Sequence, residues 1–553
     1  MERTIANKIF FGGKIITVDE ANSSPEAVAV KDGRIMDVGT YDQMLVHKGQ
    51  DTEMIDLQGN TLMPGFVDPH CHFEVAAFVN SLEQINCRVC KSSSEVMEKI
   101  HSCVENTEPG KWVALVGYDQ LTFPDLPNLD RKVLDGITSD HPLLIMTFTF
   151  HVGYVNSKAF EALGITNKSQ PPAGGVWALD ENGELSGILR ESPAIAPFIF
   201  AYLNEKQFDL KKAVVNQANE YRSYGVTTSM GPGIFEMFPA VSTYDVIKDV
   251  VTNDACPVRH GYTVLYERID NGKTTWEEQP KVNDNDKFFC TGVKMFYDGA
   301  PYGATALMKK PYLNSEQTRK LNLPEGHLGH RMHPDMETFK ESVLKYHAKG
   351  CQIQVHCQGD LAIKEMLDLF EYAMEKCPRY GLRHRLEHCM VMDKADIARA
   401  KKLGVCMSYH VNHIRFYGEN MRDQFLGKER AENSFAMRTA LRMGHRISLH
   451  ADSPMLPGDI LSLISTAVTR KTIRGEVIGA DEGITLDQAI RAATIDSAYQ
   501  CFMEEKVGSI EVGKFADFVV LADDPYQVAP EQIANIKILD TYLAGEKTKP
   551  MKA

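Results

Sequence analysis

The sequence predicts an α/β protein: a parallel barrel of βα units, a small β-structure assembled from both chain ends, and an insertion interrupting the barrel. Three observations carry this expectation. Through the middle of the chain, strand-like runs alternate with helical ones, as where "METFKESVLKYHAKG" leads into "CQIQVHC" and "KADIARAKKLG" into "VCMSYH". Both chain ends instead follow the two-residue rhythm of half-buried strands. Finally, the span between those ends, residues 64 to about 500, exceeds the ~250 residues that eight βα units need.

Taken in order, "KIFFGGKIITVDE" and "EAVAVKDGRIMDVG" read as strands, with Asp32-Gly33 as a hairpin turn. The same style returns in "GSIEVGKFADFVVLADDP" and "IKILDTYLAGE", which groups residues 1–63 plus 505–553 into one β domain. Residues 64–84 plus 211–504 carry the βα rhythm of the barrel. Between them, residues 85–210 hold irregular, Pro- and Gly-bearing text such as "TFPDLPNLDR" and "NKSQPPAGGVWALDENGELSG", and form the expected insertion. Near the end of the barrel, Thr485 and Gln488 have the capping-box spacing that opens a helix.

Composition narrows the function. The chain has 553 residues, 43% apolar and 24% charged, as in a globular protein, and no run of ~18 apolar residues suited to a bilayer. A net charge of −14 disfavours nucleic acid and anionic membranes as partners. "MERTIANKIFFGG" lacks the apolar run expected of a secretory leader, so none is expected, and twelve cysteines follow no disulfide framework. A cytoplasmic enzyme with a small-molecule substrate is the expectation. Two weak motifs are set aside. Cys87 and Cys90 form a CxxC with no second pair, and "NGKTT" lacks the phosphate-loop glycine, Glu267 standing in its place.

The chemistry gathers at strand ends. His70 and His72 in "GFVDPHCHFE" share one face of an extended segment, and a divalent metal would satisfy both imidazoles. Cys71 between them points the other way. His356 ends "CQIQVHC" with Gln352 and Gln354 on its face, His388 ends "RLEHC" with Leu386 behind it, and Asp452 ends "ISLHAD" on the face of Ser448 and His450. Barrel enzymes keep their active sites at such strand tips. Lys294 lies inside the β-rich "FCTGVKMFYDGA", on one face with Phe296 and Asp298. A lysine buried there needs either a partner, with Asp298 available, or conversion to a carbamate by carbon dioxide.

These positions resemble the amidohydrolase superfamily. The segments "LMPGFVDPHCH", "HVGYVNSKAF", "GELSGILRES", "VKMFYDGAPYGATALM", "VHCQGD", "RLEHC", "HADSP" and "VGSIEVGKFADFVVLADDP" resemble its YtcJ-like subgroup, related to N-substituted formamide deformylase. The resemblance implies a (β/α)8 TIM barrel, a β-sandwich from both termini, and an inserted α+β domain over the barrel mouth. It also implies two divalent ions, zinc the first candidate, and by family habit a homodimer. His70, His72 and Asp452 would hold the first ion, His356 and His388 the second, and carboxylated Lys294 would bridge them. Asp452 would also move the proton. The implied reaction is hydrolysis of a non-peptide C–N bond in an amide, formamide, carbamate or cyclic amide. Ester or lactone hydrolysis, a mononuclear deaminase and a catalytically silent assembly module are the alternatives.

His151 would reach the pocket from the insertion, and Tyr297 and Asp298 would approach the substrate. "YHVNH", residues 409–413, departs from the subgroup's pattern: His413 would keep that pattern's histidine, His410 and Asn412 suggest a different substrate contact, and both His410 and His413 are expected at the substrate. Phe148, Phe150, Tyr154, Tyr297 and Tyr302 suggest an apolar or aromatic substrate.

Overall fold

The computed structural model of the protein describes residues 4–85, 90, 92–148, 152–172, 175–238, 241–321, 323–333 and 335–552. The chain divides into two compact units, Met1–Glu74 with Val214–Ala553, and Val75–Ala213.

The larger unit contains the barrel. Its strands are β1 (Phe66–Asp68), β2 (Val226–Pro232), β3 (Arg259–Leu265), β4 (Phe288–Phe296), β5 (Gln352–Cys357), β6 (Arg385–His388), β7 (Cys406–Tyr409) and β8 (Ser448–Leu449). All neighbours pair in parallel and in sequence order. β1 and β8 are joined just beyond their tips, where Asp452 N donates to His70 O at 3.2 Å and His72 N to Ser453 O at 2.8 Å. Strands covered on both faces read as continuous apolar text, and every residue of β4 except Phe296 is buried. The β3–β4 register shifts between Tyr262 and Thr263. Nearby, Gly292 packs so tightly on β5 that a Cβ would lie 1.8 Å from Gln352 O.

Polar residues line the floor. Gln352 Nε2 donates to Arg383 O and Gln500 O, and Gln354 Nε2 to Gln352 Oε1. These bonds explain how glutamines survive inside a buried sheet.

The same unit carries the β-sandwich. One sheet orders Arg34–Gly39, Ala27–Lys31, Lys8–Phe11 and Glu53–Asp56; the other orders Lys14–Ile15, Thr61–Pro64, Phe518–Leu521, Ile538–Leu543 and Glu546–Lys547. Thr61–Pro64 pairs antiparallel with Phe518–Leu521, so both termini build one sheet, as expected. Phe10 meets Phe518 and Tyr542 edge-on across the core, at 5.2 and 5.0 Å. The Asp32-Gly33 turn forms with both residues at positive φ, 49° and 77°, matching the right-handed twist of its strands. The Thr485–Gln488 capping box also forms.

The unit Val75–Ala213 is α+β. Its sheet orders Val176–Leu179, Leu185–Arg190, Val152–Val155, Leu143–Met146, Val113–Val116 and Glu83–Gln84, with helices including Ser93–Glu105 and Ser192–Lys206. Among the described residues, no helix is long and apolar enough to cross a membrane.

Candidate metal centre

The tips of β1 and β8 bring three donor atoms together. His70 Nε2 and His72 Nε2 lie 3.1 and 3.3 Å from the same oxygen, Asp452 Oδ1. Ligands about 2.1 Å from a tetrahedral zinc stand about 3.4 Å apart, so these separations match edges of a coordination polyhedron. Beyond that corner, His388 Nε2 and Lys294 Nζ are buried without a hydrogen-bond partner among the described residues. Leaving such groups unpaired is costly, and a cation or a carbamate would resolve the cost. His356 uses Nε2 on Gly299 O at 3.2 Å, which leaves Nδ1 as its donor, and its ring lies 4.4 Å from that of His388. Three sets of side chains have ligand atoms within 4.8 Å of one another: His70, His72 and Asp452; His388, His410 and Asp452; and His70, His388 and His450.

Electrostatics keeps these groups in binding form. Burial, reinforced by Lys294, pushes His356 down to about 3, and burial with His356 beside it pushes His388 well below the usual imidazole range. Both imidazoles are neutral, with a lone pair to give. Burial alone would raise Asp452, but His70, His388 and the contact from His72 bring it well below the usual carboxylate range. Burial lowers Lys294 to about 8, against the pull of Glu387 and Asp452, so a usable fraction is neutral amine near neutral pH. Lys294 makes no bond to Asp298, so the simple ion pair is not the arrangement found.

Two of the expected substrate residues have other tasks. Asp298 accepts the amides of Leu307, Gln358 and Gly359, at 2.9 Å each, and so clamps the loops that follow β4 and β5. Tyr297 points outward, donating to Glu365 of the helix Asp360–Lys376 at 2.6 Å and packing on Phe339. His410 and His413 do join the site. Their rings are 3.9 Å apart, and His410 Nδ1 lies 3.8 Å from Asp452 Oδ2. The row continues to Tyr302, 5.2 Å from His413, and on to Tyr417. Phe235 approaches His72, and Phe296 approaches His356. His151, Phe150 and Cys87 lie outside the described residues. Cys71 turns away as expected, its thiol 3.5 Å from Met230 O.

Strand alternation misread β6. It placed Leu386 on the face of His388, whereas Arg385 and Glu387 enter the barrel. Glu387 Oε2 receives His70 Nδ1 at 2.6 Å, and Arg385 bonds both Glu387 and Pro69 O. His388 reaches the same interior because it and Cys389 adopt positive φ, 75° and 46°. Non-glycine residues adopt that backbone at a cost, and such strain gathers at functional sites. Asp452, with φ 53°, repeats the device. The missed partners were Arg385, Glu387, His450 and Ser408. The available signal was the pair of charges two apart in "RLEH", which a buried strand does not carry idly.

The profile described as "Amidohydrolase family" matches residues 53–548. The chain belongs to the amidohydrolase family. Among its relatives, YtcJ of Bacillus subtilis (strain 168), which carries the name of an amidohydrolase, is 29% identical over 97% of this chain and 98% of its own. The N-substituted formamide deformylase of Arthrobacter pascens is 26% identical over 97% of both chains. In fold, the chain is similar to a metal-dependent hydrolase from Pyrococcus horikoshii OT3, with a TM-score of 0.72 at 22% identity over 95% of this chain and 99% of that one. The family and the YtcJ-like resemblance read from the strand-tip motifs are thus borne out, as is the barrel fold.

Proposed function

We propose that this amidohydrolase-family chain is a metal-dependent hydrolase of a non-peptide C–N bond in a small substrate with an aromatic or planar group. One observation carries the reading: His70 and His72 converge on one Asp452 oxygen, with the buried, unpaired Lys294 amine in the same barrel interior. His70, His72, Asp452, His356 and His388 would hold two divalent ions, zinc first among the candidates, with carboxylated Lys294 between them. When bound, such ions acidify water and polarise a carbonyl.

The chain's own residues supply the rest. The neutral Lys294 amine attacks carbon dioxide, forming an N–C bond and releasing one proton, which gives an anionic carbamate. Asp452, held ionised by its imidazole neighbours, accepts the proton of the attacking water and returns it to the leaving amine. The aromatic pairs Phe235 with Phe296 and Tyr302 with Tyr417 favour a flat apolar substituent. The name of the Arthrobacter pascens relative supports an N-substituted formamide as the first substrate to try.

The test combines elemental analysis with a screen of N-aryl and N-benzyl formamides, acyl amides, carbamates, cyclic amides and lactones. Close to two divalent ions per chain and turnover of C–N substrates are expected. One ion or none would remove the bridged pair, and turnover confined to lactones would reassign the bond.

A further inference from the structure

His388 offers two nitrogens, and the structure uses them differently. Nε2 is buried without a hydrogen-bond partner among the described residues. Nδ1 lies 3.1 Å from His450 Nε2, and His450 Nδ1 lies 2.7 Å from Ser408 Oγ. Ser408 and His450 are fully buried, and His450 stacks on His70 with ring centres 4.6 Å apart and planes 19° apart. Neither residue is among the six positions that the family pattern fills.

We propose that His450 is a positioning residue for the metal centre, locking the tautomer and ring plane of His388. The proton count enforces the direction. A neutral imidazole has one N–H, so if Nε2 of His388 gives its lone pair to a cation, the proton sits on Nδ1. His450 Nε2 must then accept it. The His450 proton therefore sits on Nδ1 and is donated to the Ser408 hydroxyl oxygen. Every nitrogen in the row is used once, and the only donor left is the His388 Nε2 lone pair. The reverse assignment, with His388 Nδ1 and His450 Nε2 both on an ion, would strand a protonated His388 Nε2 in the core. Stacking on His70 fixes the plane of the relay. β6 and β7 hold its two ends, and His450 between them follows β8, whose Ser448 pairs with Ser408. Glu387 does for His70 with a carboxylate what His450 does for His388 with a ring. Such outer partners tune affinity for the ion by 10- to 100-fold in metalloproteins generally.

The inference rests on His388 being a ligand, so the experiment tests both. Wild type, His388→Asn, His450→Leu, His450→Gln and Ser408→Ala are compared for zinc affinity by chelator competition. Their cobalt-loaded absorption spectra and the melting of the metal-free proteins are recorded alongside. His450→Leu should weaken one of the bound ions by about 10- to 100-fold and alter the cobalt spectrum. His450→Gln, whose side-chain oxygen can accept the His388 Nδ1–H, should recover most of that affinity. Ser408→Ala should weaken the same ion by less than about 10-fold and provides the reading if His450→Leu does not fold. Wild-type affinity and spectrum in His450→Leu would overturn the relay. So would His450→Gln as weak as His450→Leu, since a direct ligand would behave that way. If His388→Asn binds zinc as wild type does, the ligand reading itself falls, and the relay with it.

Discussion

The four-residue strand β6 ends in one buried histidine and is preceded by another, and the two differ in how their ring nitrogens are used. His384, just before it, accepts the Ile353 amide on Nδ1 at 3.0 Å and donates from Nε2 to His347 Nδ1 at 2.9 Å. His347 then donates to Cys377 O at 2.8 Å, so that chain is complete. His388, four residues later, keeps Nε2 buried and unpaired among the described residues, its ring beside those of His70 and His356 and its Nδ1 3.9 Å from Asp452 Oδ2. Burial lowers the pKa of both. A buried, neutral histidine is therefore no evidence for a site. The evidence is the donor atom that the fold leaves unsatisfied, at a cost folding would not otherwise bear.

The contrast breaks first at the chemistry. Asp452→Asn keeps the shape of the corner and removes the proton carrier, so kcat should fall about 10²- to 10⁴-fold with the circular dichroism unchanged. A variant within a few-fold of wild type would end its role. Lys294→Met should abolish activity yet melt higher in the metal-free form, by about 1–3 kcal/mol, because it deletes an unpaired buried amine. A lower melting point would show that the amine is satisfied, as His384 is.

The direct comparison comes next. His388→Asn should lose bound metal with little change in the stability of the metal-free protein. His384→Asn should cost about 1–3 kcal/mol in urea unfolding while metal content holds. Metal loss from His384→Asn beyond what unfolding explains would erase the distinction between the two histidines.

Much of this was legible in the sequence, for a physical reason. Metal ligands at strand tips are fixed by residue type and by position after a short apolar run, and both can be read directly. The proposed ligands His70, His72, His356, His388 and Asp452 were singled out this way, Lys294 as a lysine inside a β-rich run, and the hairpin at Asp32-Gly33 and the cap at Thr485 followed from local rules. What failed needed backbone angles. The inward turn of His388 comes from positive φ, which alternation along a strand cannot anticipate, and it hid Arg385 and Glu387 as interior residues. Tyr297 and Asp298 sat in the right motif, but their side chains are spent on Glu365 and on three loop amides. Partners far apart in sequence, such as Ser408 with His450, are set by which strands adjoin.

The smallest effect lies at the structural end of β6. Burial holds His384 at about 3 in the folded protein, below the 6.5 of a free imidazole. Between those values the unfolded chain binds a proton that the folded one refuses, so stability rises with pH across the window. The contribution is complete above pH 6.5 and declines as pH falls towards 3, by at most about 1.4 kcal/mol per pH unit. Urea unfolding at pH 7 and pH 5 should show this loss in the metal-free wild type and a smaller one in His384→Gln. Equal acid losses in the two proteins would mean that the Ile353–His384–His347 chain accepts a proton without opening. His384 would then be no more firmly satisfied than His388 at the other end of its strand.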